Sequence, residues 1–254
     1  MTTVAPTAGV GPLLRSWRER RRRSQLDLAS EAEVSTRHLS FVETGRSTPS
    51  RELLLHLAEH LEVPLRDRNE LLLAAGYAPN YPMADLTSPE MNHVREALEL
   101  MLSGHEPRPA VVFDGGWDLV MANDAAAVFL DGVAPHVLEP VPNVLRITLH
   151  PDGLAGRILN YDAVRTHLVQ RVRRQLRTTA DPRLEVLVAE AETYPGDDVH
   201  DVDTAAGVLP MWFDTPDGPS GYLTTVASFG SPTDVVVSEL TIELFFPVEG
   251  PPPG

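Results

Sequence analysis

The stretch Ser35–Phe41 gathers side chains that can read a double helix. Thr36 and Arg37 open a short helix, and His38, Ser40 and Phe41 follow on it, while Leu39 and Val42 face the other way. An arginine can pair bidentately with guanine, and an exposed phenylalanine can touch a thymine methyl. The major groove admits one helix, so only its N-terminal turn and one outward face reach base edges. Ser35 sits at the same opening and can also cap the helix. Gln25 begins the preceding helix, from where it can reach a phosphate beside backbone N–H groups. The run Arg20-Arg21-Arg22-Arg23 suits either a solvated helix end or phosphate contacts.

Other chemistry is thinly represented. The chain has no cysteine, which excludes disulfides, a cysteine-ligated zinc site, an iron–sulfur cluster and a thiol nucleophile. The acidic stretch Asp197–Asp203 contains His200. Its ligand spacing is too irregular for a calcium loop, so it reads as a solvated surface loop. His150 precedes Pro151-Asp152-Gly153, a turn sequence with no matched acid or nucleophile. The pairs Asp114/Asp118 and Glu239/Glu243 read as outer-face strand residues. No nucleophile–base set or phosphate loop stands out, so neither enzymatic activity nor a cofactor or metal is expected.

The elements that must position these residues follow from pattern and punctuation. A first helix spans about Pro12–Arg23. Ser24, with Asp27 three residues on, forms a capping box for a second, which carries Leu26, Ala29 and Ala32 at helical spacing. Ser35 caps the third and Gly45 ends it. Ser50 caps a fourth, with Leu53, Leu54, Leu57, Ala58 and Leu61 as its apolar stripe, and Pro64 stops it. A fifth runs through Leu71, Leu72 and Ala75 to Gly76. The second and third helices, joined by a tight turn at Glu33-Val34-Ser35, follow the helix-turn-helix plan.

Ala78–Pro89 is rich in Pro and Asn and reads as a boundary. Ser88 and Pro89 suit the start of an amphipathic helix carrying Met91, Val94, Leu98, Met101 and Leu102. Ala110–Asp114 and Trp117–Met121 read as strands of a hairpin turning at Gly115-Gly116. A long helix is expected over Tyr161–Thr178 and another after the cap Asp181-Pro182. Three strand-like runs follow: Val208–Phe213, then, beyond the turn Thr215-Pro216-Asp217-Gly218, Tyr222–Phe229, and last Leu240–Phe246. Two strands, several helices and three strands is the element order of a PAS-like sensor with an antiparallel sheet. Such a sheet would aim Trp117, Leu119, Met121, Met211, Phe213 and Phe229 at a cavity or a plain core. Asn123, Asn143 and Arg146 are the polar candidates there, the arginine suiting a carboxylate head group.

Charge divides the chain in the same place. Of 254 residues, 43% are apolar and the net charge is −15. Residues 1–80 hold 11 arginines against 10 acidic residues, whereas residues 81–254 hold 10 against 26. All 21 basic residues are arginine. The acidic excess, which argues against a nucleic-acid partner, therefore lies outside the helical segment. Absence of cysteine, of a secretory core and of a membrane-length apolar run suggests the cytoplasm and no membrane partner.

Residues 11–77 resemble the XRE-type helix-turn-helix domain of phage and bacterial repressors. The resemblance rests on Gln25-Leu26-x-x-Ala29, Val34-Ser35-x-x-x-Leu39-Ser40-x-x-Glu43-x-Gly45-Arg46, and Pro49, Leu54, Ala58 and Leu61. Asn143-Val144-Leu145-Arg146, His150-Pro151-Asp152-Gly153-Leu154, Phe229-Gly230-Ser231-Pro232-x-Asp234-Val235 and Glu239–Pro247 are similar to MmyB-type regulators. The resemblance implies a multi-domain chain: an all-α, lambda-repressor-like domain over 11–80 and an α+β PAS-like domain over 88–249. It implies a bacterial transcription regulator that binds a double-stranded operator and a small apolar ligand such as a fatty acid. Arg46, after the third helix, joins the DNA-contacting set on that basis. A homodimer is expected, since helix-turn-helix proteins read paired half-sites. The alternative is a second domain serving only dimerisation or a protein partner.

Overall fold

A computed structural model of the chain describes residues 9–199, 209–216 and 218–249. His200–Asp203, Val208 and Asp217, which fall in the expected acidic loop, strand and turn, lie outside them. The chain divides into two compact units. One comprises the chain through Met83 together with Pro232–Val235; the other comprises Ala84–Ser231 and the chain from Val236 onward.

The first unit is built of five helices among the described residues: α1 Val10–Arg20, α2 Gln25–Glu31, α3 Thr36–Glu43, α4 Arg51–His60 and α5 Leu65–Ala74. α1 stops short of the expected Arg23 because Arg22 takes a left-handed φ of 54°, which no continuing helix tolerates. Leu14, Leu28, Leu39, Leu54, Leu57, Leu61, Leu71 and Leu72 are fully buried. Leu26, expected on the inner stripe of α2, is instead 66% exposed, and Leu28 occupies the core; at 100° per residue the two cannot share a face. α1 crosses close over α3 at Gly11, where a Cβ would lie 2.5 Å from the Val42 carbonyl oxygen. Gly45, with φ 72°, ends α3 in a conformation costly for other residues. Within this unit the Val235 N–H donates to the Pro82 carbonyl at 2.9 Å.

The second unit opens with α6, Asn92–Gly104, and carries one five-stranded antiparallel sheet among the described residues. Its strands are β1 Ala110–Phe113, β2 Leu119–Ala122, β3 Met211–Phe213, β4 Ser220–Ala227 and β5 Thr241–Val248. The spatial order is β2-β1-β5-β4-β3. Short 3-10 turns at Asp124–Phe129 and Pro135–Leu138 follow β2. Then come α7 Val144–Leu149, α8 Tyr161–Thr179 and α9 Pro182–Glu192; α10, Val235–Glu239, precedes β5.

Both faces of the sheet are covered. Val111, Phe113, Phe213 and Phe245 pack with α7, α8 and α9 through residues such as Ile147, Leu168 and Leu187. Ala110, Val112, Ile242 and Leu244 pack on the opposite face against Leu98 and Leu102 of α6. Alternation along β1 and β5 divides one ribbon between two cores.

Three sequence expectations change here. The hairpin turn is organised by Asp114, whose Oδ1 accepts from the backbone N–H of Gly116 (2.8 Å) and Asp118 (3.0 Å). Trp117, with φ 70°, lies in that turn and not in a strand. The register shifts between Val112 and Phe113, so Phe113 pairs with Leu119 but Val112 with Met121. A bulge of this kind reverses the face of every later side chain. Glu243, expected on an outer face, is 6% exposed and bonds Arg171 of α8 at 3.2 Å; its odd position in β5 puts it on the Phe245 side.

Candidate nucleic-acid interface and ligand cavity

The surface around the α2–α3 turn is assembled from local signals. The Ser24 hydroxyl accepts from Asp27 N–H and the Asp27 carboxylate accepts from Ser24 N–H, both at 3.1 Å. Glu33 adopts φ 53° in the turn, and Val34 N–H returns to the Ala29 carbonyl. Ser35 then caps α3 by accepting from His38 N–H at 3.1 Å. This leaves Ser35, Arg37 and Arg46 exposed, with Thr36, His38, Ser40 and Phe41 half-buried. The Phe41 ring is flanked by two guanidinium groups, Arg37 at 5.3 Å and Arg46 at 5.9 Å. The two cations thus share one aromatic support, which holds them near the helix surface.

Beneath them lies a buried ionic knot. Glu43 accepts from Arg18 Nε (2.7 Å) and Nη2 (3.0 Å) and from Gln25 Nε2 (2.8 Å). α1, α2 and α3 are tied through one carboxylate. Gln25 is half-buried, and its amide nitrogen keeps one further N–H. The arginine run is largely built into the fold. Arg21 donates to the Leu61 and Glu62 carbonyls at the end of α4, Arg23 pairs with Glu31, and Arg20 rests over Trp17.

In the second unit a cavity of about 400 Å³ opens beneath the sheet. Val111, Leu119, Phe129, Ile147, Met211 and Phe245 are among its walls, with Asn123, Asp124 and Thr148 as polar members. The Asp124–Phe129 turn and α7 enclose it, positioned by two asparagine caps. Asn123 Oδ1 accepts from Ala110 and Ala126 N–H, and its Nδ2 donates to the Leu102 and Arg108 carbonyls. Asn143, 4% exposed, accepts from Arg146 N–H and donates to Gly116 O and Asp118 Oδ1.

The ligand-site candidates therefore separate. Asn123, Met211 and Phe213 line the cavity; Trp117, Met121, Asn143, Arg146 and Phe229 are absent from its lining. Trp117 stacks on Phe113 at 5.2 Å, donates to Gln175 at 2.8 Å and lies under Arg171, so it is core. Met121 and Phe229 pack with α6 on the opposite face. Asn143 spends its amide on the hairpin. Arg146 is held by both oxygens of Glu190, at 2.7 and 2.8 Å, and Tyr194 also donates to Glu190. The Arg146 hydrogen bond leads in holding the Glu190 carboxyl below its ordinary range, while burial and then Glu190 raise Tyr194. Sequence reasoning missed Phe129, Leu130, Ile147 and Phe245, because their turn, short helix and strand face carry no periodic signal pointing to a cavity.

Two smaller clusters of titratable groups lie elsewhere in the second unit. His136, His150 and Asp152 bring ligand-type atoms within 4.8 Å of one another. His150 Nδ1 accepts from the Asp152 backbone N–H at 2.9 Å, as a turn-forming residue does. In the acidic stretch, Asp198 pairs with Arg165 at 2.9 Å and Asp197 N–H donates to Asp162.

Comparison with known proteins agrees with both halves of this geometry. The family described as MmyB-like transcription regulator ligand binding domain matches residues 94–250. The chain belongs to that family. A second family, described as helix-turn-helix domain, matches residues 10–71. The MmyB-like match thus contains the sheet, α7 to α9 and the cavity, and the helix-turn-helix match contains α1 to α4 and most of α5. Both families are regulatory. No curated protein matches the chain. A solved structure of an RNA-binding light-oxygen-voltage receptor aligns over 94% of this chain at 14% identity, with a TM-score of 0.25. The chain spans 59% of that receptor's chain, and a superposition so loose decides nothing about function. No helix among the described residues is long and apolar enough to cross a membrane.

Proposed function

We propose that this chain is a cytoplasmic, homodimeric regulator that binds a specific double-stranded operator and changes its operator affinity when a small apolar ligand occupies the MmyB-like domain. The cavity of about 400 Å³ with its largely apolar walls carries the reading, since ligand sites are concave, apolar and sparingly polar. A methylene is close in size to a liquid water, which takes about 30 Å³, so the space suits a chain of about a dozen carbons. A medium-length acyl or alkyl chain, as in a fatty acid or its neutral derivatives, has that size. Ser35, Thr36, Arg37, His38, Ser40, Phe41 and Arg46 are the base- and phosphate-facing set, with Gln25 at the backbone. No catalytic role is assigned.

Native mass spectrometry of the purified protein, followed by lipid extraction and operator titration with and without the extract, tests this. A bound apolar molecule that shifts operator affinity is expected. A consistently empty domain, with loss of dimerisation on deleting residues 90–254, favours a purely dimerising module instead.

A further inference from the structure

Among the described residues the cavity wall carries no cation. The sequence contains no lysine, and every arginine falls within the described residues; none lines the space. Arg146, the nearest candidate by sequence, is closed by a bidentate pair with Glu190. The polar members offer an anion little. Asn123 has both donors and its oxygen engaged with backbone groups. Thr148 donates its hydroxyl hydrogen to the Val144 carbonyl at 2.8 Å. The third, Asp124, is exposed and is itself a carboxylate. An ionised carboxylate moved among apolar side chains without a partner loses its hydration uncompensated, and one placed beside Asp124 meets like charge.

We infer that the cavity selects an uncharged apolar molecule, whose polar end, where it has one, donates a hydrogen bond toward Asp124, over the matching carboxylate. A long-chain alcohol meets both conditions; its ester meets the first, and a fatty acid anion neither. The inference rests on the reading of this cavity as the ligand site and narrows the ligand class within it.

Displacement of a neutral fluorescent probe, N-phenyl-1-naphthylamine, from the full-length protein tests it. Three competitors share one chain: 1-dodecanol, methyl dodecanoate and dodecanoate, at neutral pH and constant ionic strength. The alcohol and ester are expected to displace the probe at concentrations about tenfold or more below the carboxylate, given the cost of stripping an unpaired ion. Asp124→Arg, which adds the missing cation, should narrow or reverse that ratio, and Asp124→Asn should move it part of the way. Dodecanoate displacing as well as dodecanol from the unaltered protein overturns the inference. Val144→Phe, which narrows the cavity, separates this from failure of the site itself. If probe and competitors bind that variant undiminished, they bind elsewhere, and the cavity reading falls together with the inference.

Discussion

At the scale of single residues, the most exposed assignment is Arg37. Its guanidinium leans on Phe41 beside Arg46, so a base contact would start from a partly ordered side chain. Arg37→Ala is expected to cost about 1–3 kcal/mol of operator binding and to relax preference at one base position; affinities across a set of single-base operator variants check this. Gln25→Ala should weaken all those operators more evenly, because Gln25, braced by Glu43, is proposed to reach phosphate. Equal, sequence-blind losses from both changes contradict the two roles. Glu190 supplies a pH test. Its folded pKa is depressed, chiefly by the hydrogen bond from Arg146, so its contribution is present above the unfolded value of about 4.3. That contribution disappears as pH falls through the lower folded value. Urea midpoints measured on an acid series should show this limb, and Glu190→Gln should flatten it. These residues also show what single letters disclose. The serine caps were legible because capping is local, whereas Asn123 and Asn143, expected as ligand contacts, turn out to cap the Asp124–Phe129 turn and α7. The partner that captures Arg146 lies 44 residues away, and nothing in its neighbourhood of the sequence announces it.

At the scale of elements, α1 and α3 meet so closely at Gly11 that any side chain must displace the Val42 and Glu43 carbonyls, 2.5 and 2.6 Å from an added Cβ. Gly11→Ala should destabilise the helical unit by about 1–3 kcal/mol, read as an earlier urea midpoint with the sheet-bearing unit unchanged. Val144→Phe should do the reverse to function: the fold persists while ligand binding is lost, as circular dichroism and probe titration would show. The helix-turn-helix and the succession of strands and helices along the chain were legible because caps, stripes and alternation are written within a few residues. The face on which Met121 lies was not, because a bulge between Val112 and Phe113 reverses it, and a bulge is settled by pairing between strands. The cavity was least legible. Its walls include a 3-10 turn and a six-residue helix, elements too short to display a period.

For the molecule as a whole, charge and linkage set the expectations. The acidic excess lies in residues 81–254, so DNA affinity depends on the arginines of the first unit and should fall steeply with salt in a log–log plot. Coupling must also be reciprocal: whatever factor a ligand imposes on operator affinity, operator DNA must impose on ligand affinity. Titrating each partner in the presence and absence of the other measures both sides, and unequal factors exclude a simple two-site equilibrium. The sheet supplies a mechanical corollary. On β5, Phe245 fronts the cavity while Ile242 and Leu244 press on the helix that begins the second unit. A guest that lifts the phenyl ring pulls on the same peptide ribbon that seats those two aliphatic neighbours. Trimming Leu244, half-buried on the reverse side, should therefore retune the affinity of a molecule it never touches.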